Sequence, residues 1–334
     1  MMNGSLIMYK YSVSILAIVG LSLVAGCTKA PVERPTTVST ELTIFHAGSL
    51  SVPFREVSAL FKQRHPGVTI KAEAAGSRDC ARKISDLGRS CDVFASADYE
   101  VVENLLMPEH ADFNILFATN EMAIAYTAKS NKADEINLTN WYKILLDDDV
   151  NFGRADPNSD PCGYRTVMVF RLAQKHYQVP YLADDLIDKH GNKYIRPKET
   201  DLLALLEAGE IDYAFIYRSV AQQHGLKILR LPDPINLRSP KLADLYRTAR
   251  VTVTGKRPGE VITRTGRPIV YSVTIPNNAQ NRGLAEAYVA LLLSPEGQAI
   301  MRKYGQEPVV PAQTREYDRV PAKLRRLCKQ VDGP

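Results

Sequence analysis

The residues best suited to chemistry lie in one short run, Asp160-Pro161-Cys162-Gly163-Tyr164-Arg165. Asp followed by Pro is a common helix start, with Asp at the N-cap and Pro at the first helical position. The first amides of a helix have no partner within it and favour an anion. Gly163 allows backbone or ligand to come close. The run therefore predicts an anion-binding helix start, although a plain structural cap explains the same residues.

Two Gly-Ser turns could supply further hydrogen-bond donors. Residues 41–45 predict a strand that leads into Gly48-Ser49, with Ser49 as the N-cap of the next helix. Residues 68–72 predict a second strand, followed by Gly76-Ser77 and another helix. Successive strand–helix units indicate a parallel sheet, in which ligands bind beyond the carboxyl ends of the strands. Both turns should lie at that edge.

The elements after residue 120 predict a second lobe. Residues 121–126 form a strand that crosses over, the helix starting at 161 ends near 177, and Glu199 stands at the start of a Leu-rich helix. Residues 211–217 predict a strand and residues 232–268, rich in Pro and Gly, predict loops. The strand at 269–275 then returns the chain to the first lobe.

Composition excludes several classes of function. The chain has 334 residues, 45% hydrophobic and 24% charged, with a formal net charge of +5. That length suits two domains, and the short basic clusters without interleaved aromatics predict no nucleic-acid partner. Motifs of serine hydrolases, zinc proteases and phosphate-binding loops are absent, so we expect no enzyme. His46 near Ser49 could imitate a base and a nucleophile, but it lacks a third, positioning partner.

The N-terminus predicts export and lipid anchoring. Lys10 precedes an apolar stretch, Tyr11 to Ala25, that is too short for a stable membrane span. Leu23-Val24-Ala25-Gly26-Cys27 resembles the lipobox of bacterial lipoproteins, in which the Cys becomes the lipidated first residue. Residues 1–27 are therefore interpreted as a lipoprotein signal peptide and 28–40 as a flexible tether, with Met1 or Met8 as the start. An ordinary signal peptide with a chance Cys27 is the alternative.

The four remaining cysteines, Cys80, Cys91, Cys162 and Cys328, allow three disulfide pairings in an exported chain. Cys80–Cys91 closes a short loop and is the first choice, which leaves Cys162–Cys328. Free thiols are the alternative. The spacings do not match a zinc site.

Five motifs occur in an order that resembles the tungstate/molybdate-binding proteins of ABC transporters, in the branch best known from archaea. The matching segments lie within about 42–315 and are Phe45-His46-Ala47-Gly48-Ser49-Leu50, Ala75-Gly76-Ser77, the run 160–165, Arg196-Pro197-Lys198-Glu199 and Phe215-Ile216-Tyr217-Arg218-Ser219-Val220-Ala221.

The resemblance implies an α/β, type II periplasmic-binding fold. Two α/β lobes, 41–122 with 272–334 and 123–271, would be joined by two crossover strands with the ligand cleft between them. It implies a monomer that carries tungstate or molybdate to an ABC-transporter permease without a cofactor. The lipobox at Cys27 departs from the family pattern and predicts that this chain is exported and lipid-anchored, on the periplasmic or extracellular face of the cell membrane.

The resemblance also implies a ligand site made by both lobes. The residues it places there are Gly48, Ser49, Ser77, Asp160, Pro161, Cys162, Glu199 and Tyr217. Asp160 and Glu199 would bond the Mo or W centre of the oxyanion, so that a tetrahedral anion becomes six-coordinate. The main alternative is a carrier for sulfate, phosphate or ferric iron. Tyr213 and Tyr217, on one side of a strand, could serve iron, although core residues commonly show this spacing.

Overall fold

The computed structural model describes residues 40–332. The predicted signal peptide, Cys27 and nearly all of the tether lie outside the described residues. The strands are β1 (Glu41–Ala47), β2 (Thr69–Ala75), β3 (Val93–Ser96), β4 (Ile115–Thr119), β5 (Met122–Tyr126), β6 (Phe152–Ala155), β7 (Ile195–Arg196), β8 (Tyr213–Tyr217), β9 (Lys227–Arg230), β10 (Arg250–Thr254), β11 (Val261–Thr265), β12 (Val270–Thr274), β13 (Glu307–Thr314) and β14 (Cys328–Gln330).

Helices cover the strands and vary from single turns to five turns in length. They are α1 (Ser51–Arg64), α2 (Ser77–Ser85), α3 (Tyr99–Val101), α4 (Trp141–Leu146), α5 (Pro161–Tyr177), α6 (Leu182–Asp188), α7 (Leu202–Ala208), α8 (Arg218–Gln223), α9 (Asp233–Asn236), α10 (Ala243–Tyr246), α11 (Arg282–Leu293), α12 (Pro295–Lys303) and α13 (Ala322–Arg325). In the part of the chain that the structure describes, none of them has the length and apolar character needed to cross a membrane.

Two main sheets organise residues 40–332. The first has the order β14-β13-β4-β12-β3-β1-β2, and the second has the order β7-β6-β8-β5-β9. In the first sheet β1 pairs in parallel with both β2 and β3, whereas β12 runs antiparallel to β3 and β4. We call the part built on the first sheet the first lobe and the part built on the second sheet the second lobe. Parallel strands bring both Gly-Ser turns to one edge, as predicted.

Apolar faces of the helices bury the sheets. In the first lobe α1 places Phe54, Val57 and Phe61 in the core at helical spacing. In the second lobe α5 is buried along most of its length and packs against β8, whose five residues are all buried. The predicted helix end near Tyr177 is confirmed, and α5 therefore stands as a rigid support for the run at 160–165.

The chain passes between the two sheets at Asn120 and Glu121, between β4 and β5. The Asn120 side-chain amide donates to Ser219 Oγ at 2.7 Å and to Tyr271 Oη at 2.9 Å. Tyr271 belongs to β12 of the first sheet, and Ser219 belongs to α8, which follows β8. This connection is thus tied to both lobes by buried hydrogen bonds.

Two segments differ from the prediction. Residues 232–268 are not only loops, because β10 and β11 form an antiparallel hairpin in which Val253 pairs with Ile262. Residues past 306, for which no strand was predicted, add β13 and β14 to the edge of the first sheet, and Cys328 lies in β14. A strand forms only when another segment pairs with it, and this partner is not visible in the composition of the strand itself. The frequent Pro and Gly residues of these segments therefore indicated loops where the structure has strands.

Neither predicted disulfide is present, since all four described cysteines are free and buried. Cys80 Sγ lies 3.6 Å from the His46 carbonyl oxygen, and Cys91 Sγ lies 3.1 Å from that of Val93. Cys162 Sγ lies 3.6 Å from the Phe215 carbonyl oxygen in the second sheet, whereas Cys328 is on the outermost strand of the first. The sulfurs therefore contact strand carbonyls instead of each other, and Cys162 and Cys328 belong to different lobes.

Candidate functional site

The first turn of the site, Gly48 to Leu50, is a single 3₁₀ turn between β1 and α1. Ser49 is buried and its hydroxyl accepts a hydrogen bond from Tyr271 Oη at 2.9 Å. Its carbonyl oxygen accepts from Gln306 Nε2 at 2.9 Å. The prediction that Ser49 caps α1 is wrong, because Leu50 holds the N-cap position and no side chain caps this helix. The fixed hydroxyl instead belongs to a network at the lobe interface.

The second turn, at Gly76 and Ser77, touches the second lobe directly. A Cβ atom on Gly76 would lie 2.3 Å from the Ser159 carbonyl oxygen and 3.0 Å from that of Pro197. The Arg78 amide donates to the same Ser159 oxygen at 3.1 Å. Ser77 is fully buried, and its Oγ accepts from the Ala97 amide at 3.0 Å. Only a residue without a side chain permits this approach of two backbones.

Asp160 is the N-cap of α5, as predicted, and Pro161 occupies the first turn. Its Oδ1 accepts from the Cys162 amide at 2.8 Å, and its Oδ2 accepts from the Glu199 amide at 3.2 Å. The side chain is 2% exposed. One carboxylate therefore joins the start of α5 to the turn that carries Glu199.

Glu199 begins the 3₁₀ turn that precedes α7 and is 1% exposed. Neither of its carboxylate oxygens accepts a well-formed hydrogen bond from the described residues, although the Asp160 carboxyl and the Ser49 hydroxyl lie close enough to act on its pKa. A Cβ atom on Gly48 would lie 3.3 Å from Glu199 Oε2 and 2.9 Å from Thr200 Oγ1. An acid of the second lobe thus meets the first Gly-Ser turn with unused acceptor capacity, which is rare for a buried carboxylate.

The two acids perturb each other. Burial, followed by the charge of Asp160, raises the pKa of Glu199 well above its ordinary value. Burial also raises the pKa of Asp160, although the Glu199 side chain and the amides of Cys162 and Glu199 oppose this. Ionising both of two adjacent buried carboxylates is energetically unfavourable because the two negative charges repel each other. A proton or a cationic centre between them relieves this repulsion.

We expect a pH dependence of stability that belongs to Glu199. Its folded pKa lies above its ordinary value of 4.5, so the folded state binds the proton more tightly than the unfolded state. The resulting stability is present below pH 4.5 and is lost as pH rises through the folded pKa. As pH rises above 4.5, the melting temperature of the ligand-free wild type should therefore fall relative to that of ligand-free Glu199→Gln. Parallel curves would contradict the shift.

A buried ionic network lies beside the acids and also joins the lobes. Arg165 donates to the Ala97 carbonyl oxygen at 2.8 Å and to Tyr217 Oη at 2.7 Å, and it pairs with Asp98 at 3.3 Å. The Tyr164 hydroxyl also donates to Asp98. Although burial acts in the opposite direction, the charges of Arg165 and Arg264 hold the pKa of Asp98 below its ordinary value. The network therefore holds the residues that follow β3 in the first lobe against the start of α5 in the second lobe.

Asp98→Asn should destabilise the protein by about 3 kcal/mol, because Arg165 would keep a buried charge without its partner. Urea unfolding of the ligand-free protein measures this. Asp86→Asn is the control, since Asp86 pairs with Arg82 at an exposed position and should contribute less than about 1 kcal/mol. Equal losses for both variants would show that the buried pair has no special weight.

The structure brings most predicted site residues to one interface. Gly48 faces Glu199 so closely that an added Cβ atom would meet its carboxylate, and Asp160 accepts from the Glu199 amide. Ser77 and Tyr217 connect through Ala97 and Arg165. Cys162 contributes its amide, whereas its thiol points to β8. Sequence reasoning gave no role to Asp98, Tyr271 or Gln306. Arg165 is the last residue of the run 160–165, and its place in that motif was the sequence feature that could have indicated a role in the site.

The chain is similar to known proteins over most of its length. Residues 42–307 match the model of the family described as bacterial extracellular solute-binding protein. An uncharacterized solute-binding protein of Petrotoga mobilis is 51% identical, covering 87% of this chain and 91% of its own. The molybdate/tungstate-binding protein WtpA of Pyrococcus abyssi is 41% identical, covering 92% of this chain and 95% of its own.

Solved structures show the same fold. The periplasmic molybdate-binding protein of Azotobacter vinelandii aligns with a TM-score of 0.56 at 17% identity, over 79% of this chain and 98% of that one. The sulfate-binding protein SubI of Mycobacterium tuberculosis aligns with a TM-score of 0.58 at 12% identity, over 80% of this chain and 87% of that one. The periplasmic-binding fold predicted from the sequence is therefore confirmed, and this chain belongs to the bacterial extracellular solute-binding protein family.

Proposed function

We propose that this protein binds molybdate and tungstate between its lobes and delivers them to the permease of an ABC transporter. Its relationship to proteins named molybdate/tungstate-binding protein supports the ligand class. The observation that carries the proposal is the pair of buried acids, Asp160 and Glu199, in which Glu199 has two unpartnered oxygens at the lobe interface.

The acids decide which oxyanion is accepted. A carboxylate beside a dianion is repulsive unless it is protonated or bonds the central atom. Mo(VI) and W(VI) are hard centres that accept oxygen ligands, and two carboxylate oxygens would raise the coordination number from four to six. Sulfur in sulfate and phosphorus in phosphate offer no such expansion. Asp160 and Glu199 therefore favour Mo and W and penalise the lighter anions.

The first lobe supplies donors to the oxyanion oxygens. In this proposal the hydroxyls of Ser49 and Ser77 and the amides of the two Gly-Ser turns bind the anion. The Cys162 amide donates to Asp160 Oδ1 and so orients that carboxylate toward the ligand. Donors at helix starts suit a dianion without needing formal positive charge. Tyr217 is held by Arg165 at 2.7 Å and can orient that wall of the site.

Titration calorimetry on ligand-free protein tests the proposal. Tungstate and molybdate should bind with one-to-one stoichiometry, and an excess of sulfate or phosphate should not displace bound tungstate. Saturable binding of sulfate or phosphate, together with no response to tungstate and molybdate, would replace the proposed ligand class by another solute.

Delivery requires a lobe arrangement that the permease can recognise. A ligand that contacts both lobes stabilises the closed arrangement by its higher affinity for that state. We propose a monomeric carrier without catalytic turnover, exported and anchored through a lipid on Cys27. Phase partition in a detergent tests the anchor: the wild type should enter the detergent phase, and Cys27→Ser should remain in the aqueous phase. Equal partition of both would exclude lipidation at Cys27.

A further inference from the structure

A groove on the second lobe is lined by three arginines. Its volume is about 520 Å³, and Arg154 on β6, Arg171 on α5 and Arg250 on β10 contribute to its wall, with Val167, Ile187 and Thr252. No acidic residue is among its lining side chains. We call it the arginine groove.

Arg154 is the unusual member. Arg154 is only 8% exposed, and its Nη1 atom has no hydrogen-bond partner among the described residues. Within residues 40–332 no carboxylate lies within ion-pair distance of it, while other buried arginines such as Arg165 and Arg264 have such partners. Burial lowers the pKa of Arg154, and Asp156 offsets this only through space. A buried, unpaired guanidinium is costly to the folded state.

The other two arginines are also uncompensated. Arg171 Nε is buried without a hydrogen-bond partner, and in the described part of the chain neither Arg171 nor Arg250 makes an ion pair. Three arginines from different elements therefore line one groove, and among the described residues the carboxylate that acts on Arg154, that of Asp156, does so through space without forming an ion pair. An external anion in the groove would offset the cost of the buried Arg154 guanidinium, which has no ion-pair partner among the described residues.

The chemistry of the groove selects the kind of anion. Guanidinium groups present parallel N–H donors that match phosphate or sulfate oxygens in pairs. The Thr252 hydroxyl adds a donor, and a multiply charged anion balances three cations better than a single carboxylate does. We propose that the arginine groove is a second anion site, which takes a tetrahedral phosphate or sulfate group, either free or as the headgroup of a phospholipid.

This site is separate from the one between the lobes. Arg171 follows Asp160 by eleven positions on α5, which corresponds to about 16 Å along the helix axis at 1.5 Å per residue. Among the described residues, those that line the groove include neither Asp160, nor Glu199, nor a residue of either Gly-Ser turn. Changes in the groove should therefore leave tungstate affinity as it is.

Calorimetry and thermal unfolding with inorganic phosphate test the proposal on the mature chain loaded with one equivalent of tungstate. Phosphate should bind the wild type and raise its melting temperature, and Arg171→Gln should weaken phosphate binding about tenfold or more. Arg154→Gln should melt higher than the wild type without anions and lose the response to phosphate. Arg55→Gln, which removes an exposed arginine of the first lobe, should behave as the wild type does.

Vesicles identify the source of the phosphate group. Binding to phosphatidylglycerol vesicles, but not to phosphatidylcholine vesicles, that is lost in Arg171→Gln would assign a lipid headgroup. A response to inorganic phosphate alone would assign a free anion. The proposal is overturned if phosphate and anionic vesicles act equally on the wild type, Arg171→Gln and Arg154→Gln, or do not act at all. If tungstate itself fails to bind, the same phosphate titrations on unloaded protein still decide the question.

Discussion

Replacing Gly76 by valine is expected to weaken tungstate binding by about tenfold to hundredfold, because overpacking of this kind costs about 1–3 kcal/mol. The first side-chain carbon would lie 2.3 Å from the Ser159 carbonyl oxygen, well inside van der Waals contact. That oxygen is backbone and is held by the Arg78 amide at 3.1 Å, so it has little freedom to move away. The clash exists only while the lobes touch.

Calorimetry with tungstate measures this loss, and thermal unfolding of the ligand-free variant shows whether the fold persists. Gly283→Val is the matched control, because a Cβ atom at Gly283 meets nothing within 4 Å. Its tungstate affinity should equal that of the wild type. An unchanged affinity in Gly76→Val would mean that ligand binding does not require the observed contact between Gly76 and Ser159.

Glu199→Gln is expected to reduce tungstate affinity about hundredfold, since removing a charged partner in a buried site costs about 3 kcal/mol. The amide keeps the size of the side chain but lacks the carboxylate that would bond the metal centre. It also offers N–H donors to an anion. Discrimination against sulfate should therefore weaken while tungstate affinity falls.

Parallel titrations with tungstate and sulfate test both effects. Glu207→Gln, on the exposed face of α7, removes a carboxylate from the same region and should change neither affinity. Retention of full tungstate affinity and of sulfate exclusion by Glu199→Gln would remove Glu199 from the proposed coordination of the metal. Asp160 would then be the remaining carboxylate to examine.

Local sequence signals were sufficient for many elements. Asp160-Pro161 marked the start of α5, and the alternating apolar and Gly-Ser segments marked β1, β2 and the turns after them. Such signals depend on residues close in sequence, where capping and strand propensity act. The predicted lobe boundaries near residues 122 and 272, and the roles of the predicted ligand residues, stay predictions.

The cysteines and the edge strands required information that spacing does not hold. A disulfide needs a particular distance between two side chains, and the sulfurs of Cys80 and Cys91 point to different strand carbonyls. The β10–β11 hairpin and the addition of β13 and β14 depend on pairing partners rather than on their own composition. Ser49 likewise resembled a cap, but Tyr271, more than 200 positions away, bonds its hydroxyl.

The sequence by itself determined the class of fold, the helix start at Asp160 and the segments that carry Ser49, Ser77, Glu199 and Tyr217, because short-range patterns encode elements and their ends. The tertiary structure decided which of these side chains meet. Packing of the two lobes pressed Gly76 against Ser159, left the Glu199 oxygens unpartnered and paired Arg165 with Asp98. Those contacts join residues far apart in the chain, and their energies depend on burial, which exists only after folding.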